Sequence, residues 1–421
     1  MRSLFRRFSE RKGLGATLMA AADITAKVAA FLITPYLANR MGPTEFGSLN
    51  LYLASTDIIA FALFLGGPAL VASECVRSGQ SSALQVRSAS LGVAFRILPI
   101  LLIFCVSASL FWPSRLPLTI ALLVVTLSYL YGLNSLEISF YRGAQKYPLA
   151  VAGQFSFTAL SLLITISAFQ LLQPTAVNRL LSIVLALALI QIVYDGDLRR
   201  LNTATINQRT RRQSRRLVIT FGLSISAHVI GHWIRMSVDR YFLAGYTSLA
   251  GAGIYSLALS MAMVPSVFFS VVSQQLQPYL YRQLKDGRFS QFRRSQTSFI
   301  FLAILATVIY YGVLMAFFDK VFSSDYSAAK DLIIPLLGGA LAQAIYFIFS
   351  HAAFYERRGR HISVVAVLTL TVHLSGLTLL VLLSAVNLFT VAVVYLISGL
   401  TATVAMAVIS NLIVKRLESS F

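Results

Sequence analysis

Cysteine is nearly absent: Cys75 and Cys105 are the only two among 421 residues, and they stand at no paired or metal-ligand spacing. That excludes a disulfide framework or a cysteine-based zinc site as the organising device. Charge is scarce too. Charged residues make up 12% of the chain against 57% hydrophobic, whereas a soluble domain is about a quarter charged and about half apolar. Mean hydropathy is +0.75, so the chain reads as a membrane protein. Acids are the scarcer sign, 15 Asp and Glu against 35 Lys and Arg, for a net charge of +20. In a soluble protein that balance points to nucleic acid. Here the bases sit in short connectors between apolar runs, the pattern of a polytopic membrane protein, which excludes a nucleic-acid partner. The sequence also lacks a nucleotide-binding motif, a nucleophile constellation and a metal cluster, so no catalytic residue is assigned and no enzyme is expected.

Long apolar runs are what the chain has in place of these. Runs of about 18 residues or more mark membrane helices, and twelve are predicted, giving an all-α polytopic protein. They cover 14–38, 47–72, 89–111, 117–140, 149–171, 179–196, 217–244, 252–280, 297–317, 331–353, 362–384 and 388–414. The basic residues test the count. With the N-terminus inside, 26 of the 35 Lys and Arg fall on inner segments and 5 on outer ones. A wrong count would scramble that split, so the positive-inside rule favours twelve spans with both termini cytoplasmic. The basic segment Met1–Lys12 leads into a span too long for a cleaved signal peptide and is read as a retained leader.

The longest inner connector, 197–216, is polar and basic. It divides the sequence into an expected N-terminal six-helix bundle (1–196), a cytoplasmic linker (197–216) and a C-terminal six-helix bundle (217–421). The halves look like a weak repeat. At an offset of 206 residues Leu37-Ala38 falls on Leu243-Ala244, and Gly47 falls on Gly253. In each half a helix carrying charges ends in a short outer turn, and a glycine opens the next helix. Related halves suit transporters, which hold substrate between repeats.

Charges inside apolar spans are costly and mark candidate sites. In the first span Asp23 and Lys27 lie four residues apart on one helical face. Lys27 is too deep to snorkel, and is expected to offer positive charge to an anionic headgroup while Asp23 holds it or exchanges a proton. The seventh span repeats the pattern in opposite order, with Arg235 and Asp239 four apart and Arg240 beside them. Arg235 is the deeper base, and its planar fork suits two phosphate oxygens at once. His228 and His232 share a face of the same span, but no glutamate follows His228, so the zinc-protease pattern is missing and no metal is assigned. His232 is read as lining a polar cavity. Asp57, mid-span in the second helix, needs a partner such as Lys27, or serves in cation coupling. Arg96 and Glu137 lie nearer the cytoplasmic face, where an ion pair or snorkelling accounts for both. His373 is mid-span and isolated, and reads as core.

The turn Arg40-Met41-Gly42-Pro43-Thr44-Glu45-Phe46-Gly47 resembles the Gly-Pro-x-Glu-aromatic-Gly turn after the first helix of bacterial polysaccharide flippases. These are the O-antigen and lipid-linked oligosaccharide flippases of the multidrug/oligosaccharidyl-lipid/polysaccharide exporter superfamily. Phe140–Tyr147, Val238–Ala244 and Gly253–Ser256 are similar to their fourth-helix loop, seventh-helix end and eighth-helix start. The resemblance implies two pseudo-symmetric six-helix bundles in a V-shaped exporter fold, in the bacterial inner membrane. It implies movement of undecaprenyl-pyrophosphate-linked oligosaccharides by alternating access, for O-antigen, capsule or exopolysaccharide. Lys27, Arg235, Arg240 and His232 are then the candidate contacts for pyrophosphate or sugar, and Asp23, Asp57 and Asp239 the candidate coupling or ion-pair residues. No cofactor is expected; a proton or sodium gradient is the candidate energy source. Expected partners are the glycan lipid, membrane lipid, and a polysaccharide polymerase with its chain-length machinery. A drug/cation antiporter of the same fold would need mainly acidic cavity residues, whereas the mid-span inventory holds both signs. A polymerase would need a sizeable outer loop, and the longest outer connector lies near Asp319–Lys330.

Overall fold

The computed structural model describes residues 12–111, 117–201, 208–356 and 358–419. Within these ranges the side chains of 12–24, 26, 27, 30, 193, 195–201, 208–211, 227 and 228 lie outside the description. Helices account for every regular element among the described residues: α1 (Lys12–Phe64), α2 (Gly67–Arg77), α3 (Gln80–Phe111), α4 (Leu118–Gly143), α5 (Tyr147–Leu171), α6 (Ala176–Leu201), α7 (Gln208–Tyr246), α8 (Leu249–Lys285), α9 (Phe289–Val321), α10 (Ala329–Tyr355), α11 (Gly359–Leu382) and α12 (Leu388–Glu418), with one 3₁₀ turn at Ser324–Tyr326.

The turn expected at 40–47 is a kink at a single residue. Gly42 has φ 72° and ψ 169°, a backbone state open in practice only to glycine. Pro43 then starts the second arm, where its missing N–H costs nothing. The two arms of α1, with α2 extending the second arm past Gly66, coincide with the first two expected spans. Helices α3 to α12 coincide with the other ten. Nine helices among the described residues are long and apolar enough to cross a membrane, and α7, bent by 51° between Ser226 and Val229, makes a tenth. Large apolar side chains cover the outside as well as the core: Leu110 is 76% exposed, Phe301 65% and Val404 62%. In water that surface would drive aggregation; in lipid it is the solvated face.

The chain forms two compact units. One takes in the chain through Ile33 together with Leu49–Ile230; the other takes in Thr34–Ser48 and Gly231–Phe421. The division falls inside α1 and α7 rather than in the 197–216 connector, into which α6 and α7 extend as helix from either side. Close packing explains it. In the first unit Gly222 of α7 lies so near Leu65 that a Cβ would stand 2.5 Å from the Leu65 carbonyl oxygen. In the second, Gly47 and Gly253 meet backbone to backbone: a Cβ on Gly253 would be 1.9 Å from the Pro43 carbonyl oxygen, and one on Gly47 would be 2.1 Å from that of Leu249. The two glycines related by the 206-residue offset therefore touch. Tyr326 closes over this crossing, donating from its hydroxyl to the Ala38 carbonyl at 3.2 Å and standing edge-on to Phe46.

Each unit has its own core. In the first it is built on Leu63, Phe64, Val71, Leu136, Phe140 and Tyr141; in the second, on Phe269, Phe292, Phe299, Ile348 and Met406. Polar ties join helices within the first. Arg87 of α3 forks onto Glu137 of α4, its Nε 2.8 Å from Oε2, with the Glu137 side chain 1% exposed. Glu137 thus pairs with Arg87 and not with Arg96, which is exposed. Arg179 reaches from α6 to the Ser161 carbonyl of α5 at 3.0 Å and to the Thr165 hydroxyl.

Candidate functional site

Helix α7 carries the strongest concentration of charge among the described spans. Arg235 and Asp239, one turn apart, both face inward: they are 8% and 1% exposed. Burial on this scale requires that each charge find partners. Asp239 is fully engaged. Its Oδ2 accepts from the Tyr255 hydroxyl of α8 at 2.6 Å, and its Oδ1 lies 2.9 Å from His373 Nε2 of α11. His373, wholly buried, places Nδ1 3.2 Å from the Ser398 hydroxyl of α12. Ser398 in turn donates to the Tyr395 carbonyl at 2.9 Å. Three helices meet at one carboxylate, and His373 carries the tie on to α12.

Arg235 is only partly engaged. Nη1 donates to Gln343 Oε1 of α10, and the guanidinium carbon sits 5.7 Å from the centre of the Tyr395 ring. Its Nε and Nη2 are buried without a hydrogen-bond partner. A guanidinium stacked on an aromatic face, with two N–H edges unspent, is equipped to take two oxygens of an anion. Arg240 is half-buried and acts electrostatically on both Tyr255 and Tyr395, so Arg235, Asp239 and Arg240 share one polar cluster. His232, one turn before Arg235, is exposed.

Asp57 is exposed on α1, in the first unit, and its charge is felt by Tyr131 of α4. Asp23, Lys27 and His228 lie outside the described side chains, and so does any pairing of Asp57 with Lys27. His373 is the correction: it is not isolated, because the carboxylate of Asp239 sits on it. The signal was present in sequence, since a histidine and an aspartate on different apolar spans each require a polar neighbour. Among the described residues no three His, Cys, Asp or Glu side chains come together as a metal site. A separate groove of about 250 Å³ in the second unit is lined by Thr307, Val308, Tyr311, Ile334, Leu337 and Gly338, and contains none of these charges.

Residues 13–284 match the model of the family described as polysaccharide biosynthesis protein. The chain belongs to that family. Among its relatives is "Lsg locus putative protein 1" of Haemophilus influenzae, 23% identical over 363 residues, covering 85% of this chain and 88% of the relative. A second membrane protein of that organism is 24% identical over 84% of this chain and 87% of its own. In three dimensions the chain is similar to an inward-facing multidrug resistance MATE family transporter of the MOP superfamily. That match has a TM-score of 0.70 at 13% identity and covers 94% and 96% of the two chains. At such identity the likeness establishes the fold. This member of the polysaccharide biosynthesis family is thus a multi-pass membrane protein with the MOP-superfamily transporter fold, and the buried cluster on α7 lies within that fold's C-terminal unit.

Proposed function

We propose that the protein is a flippase that carries undecaprenyl-pyrophosphate-linked oligosaccharide repeat units across the bacterial inner membrane. The lipids would serve O-antigen, capsule or exopolysaccharide synthesis, moved by alternating access with both termini cytoplasmic. The observation that carries this reading is Arg235, a buried guanidinium with two unspent N–H edges in a transporter fold of a polysaccharide biosynthesis family. A pyrophosphate cannot enter hydrocarbon unaided; Arg235 offers it donors below the membrane surface, and Arg240 adds a second positive charge. Lys27 is the counterpart proposed in the first span, with His232 lining the sugar path. Asp23, Asp57 and Asp239 are the proposed coupling or ion-pair residues. Membrane lipid and a polymerase with its chain-length machinery are the proposed partners.

The test is complementation of a deletion strain, with lipid-linked glycans extracted and assigned to a leaflet. The deletion should trap completed repeat units on the inner leaflet. Arg235→Ala should export roughly tenfold less or worse, the loss expected for charged hydrogen bonds worth about 1.5–3 kcal/mol, at wild-type abundance in the membrane. Arg235→Lys should recover only part. Normal export by Arg235→Ala would end the anion role of this residue. The buried acid Asp239 favours a second reading, a drug/cation antiporter of the same fold; unchanged lipid-linked glycans in the deletion would favour it.

A further inference from the structure

We propose that Tyr255 and His373 are positioning residues for Arg235. They hold both oxygens of Asp239, withhold that carboxylate from the guanidinium, and so keep one edge of it open for a phosphoryl group; this rests on the anion role of Arg235. The sequence offers an ion pair that the fold declines. An arginine and an aspartate one helical turn apart ordinarily pair, and two buried charges have the strongest reason to do so. Arg235 and Asp239 have that spacing and that burial. Yet Arg235 Nη1 goes to Gln343, and Nε and Nη2 meet no acceptor among the described residues. Asp239 is held elsewhere, Oδ2 by the Tyr255 hydroxyl and Oδ1 by His373 Nε2. A carboxylate only accepts, so the ring hydrogen of His373 lies on Nε2. Nδ1 then faces the Ser398 hydroxyl, which it shares with the Tyr395 carbonyl.

What remains open on Arg235 is a defined edge. The Nε–H and one Nη2–H of a guanidinium point the same way and grip two oxygens side by side. In the first unit Arg87 uses that edge on Glu137, with Nε 2.8 Å from Oε2 and Nη2 on Oε1. The same two nitrogens are the unspent ones on Arg235. Its third nitrogen is taken by Gln343, a neutral acceptor, which fixes the guanidinium without cancelling its charge. A phosphoryl group brings to Arg235 the two oxygens and the negative charge that Glu137 brings to Arg87. Tyr255 and His373 act through Asp239. Releasing either oxygen leaves a buried acceptor without a donor, one turn from two buried donors without an acceptor. Acceptor and donors would then meet, and the edge would close.

Calorimetric binding of inorganic pyrophosphate to the full-length protein in lipid nanodiscs tests the proposal. Tyr255→Phe frees Oδ2 and should weaken binding roughly tenfold, the factor set by one charge-assisted hydrogen bond. Asp239→Asn added to Tyr255→Phe should restore it, since a carboxamide carries no charge to set against Arg235. His373→Leu frees Oδ1 and should follow the same pattern, which keeps the test intact if Tyr255→Phe does not fold. Gln343→Glu sets a carboxylate on Arg235 directly and should weaken binding roughly tenfold or more. Undiminished binding by any of these three folded single variants, or a loss in Tyr255→Phe or His373→Leu that Asp239→Asn does not restore, overturns the proposal and spares the anion role. Arg235→Ala binding as tightly as wild type overturns the anion role itself, and the proposal with it.

Discussion

Gly253→Ala should be among the most damaging single-methyl changes in the second unit. The added Cβ would stand 1.9 Å from the Pro43 carbonyl oxygen and 3.0 Å from the Gly47 nitrogen. Ordinary contact begins near 3.4 Å, so the two helix starts must part by about 1.5 Å at their crossing. Both obstacles are backbone, and no side chain can swing aside. Overpacking of this kind costs about 1–3 kcal/mol. Separation also loosens what the crossing positions: the Tyr326 to Ala38 bond, and the two bonds by which Asn39 holds the Val321 carbonyl at 2.7 Å and the Ser323 amide at 2.9 Å. Each is worth about 0.5–1.5 kcal/mol. With these bonds weakened rather than broken, for about 1 kcal/mol among them, a total near 2–4 kcal/mol should lower the melting temperature of the detergent-solubilised protein by roughly 5–10 °C. Gly47→Ala strikes the same crossing from the other side, so the double variant should lose less than the sum, one displacement serving both. Gly312→Ala is the control. Nothing lies within 4 Å of its Cβ, and mid-helix alanine gains about 0.5–1 kcal/mol. A Gly253→Ala protein that melts with the wild type, or below which Gly312→Ala falls, would refute the contact.

Three further outcomes follow from named contacts. Arg87→Met strands the buried Glu137 carboxylate and should cost about 3–5 kcal/mol; the Arg87→Met/Glu137→Leu double variant should recover most of it, read as melting temperature in detergent. Arg179→Ala removes a charged donor from the Ser161 carbonyl and the Thr165 hydroxyl, for a loss of about 1.5–3 kcal/mol, and should raise protease sensitivity of the α5–α6 hairpin. Asn387 caps α12 by accepting from the Thr390 amide at 2.9 Å, with Thr390 returning the bond. Asn387→Ala should cost about 0.5–2 kcal/mol, visible as faster hydrogen exchange in the first turn of α12.

The sequence by itself determined the class of the protein and the positions of its helices. Hydropathy sees a span because lipid demands an unbroken apolar run with every backbone group bonded internally, and Gly42-Pro43 marks its own kink because no other pair adopts that backbone so cheaply. The inward charges of α7 were legible for the same reason: a charge in an apolar run stands out wherever it lies. Which partner each charge takes was not legible. Glu137 chose Arg87 over Arg96, and Asp239 found His373, 134 residues away, because in an all-apolar helix no periodicity distinguishes the face toward protein from the face toward lipid. Only tertiary packing supplies that distinction. It also decided that 34–48 joins the C-terminal half and that α7 is shared between both, through glycine contacts made by atoms that the side-chain alphabet does not record.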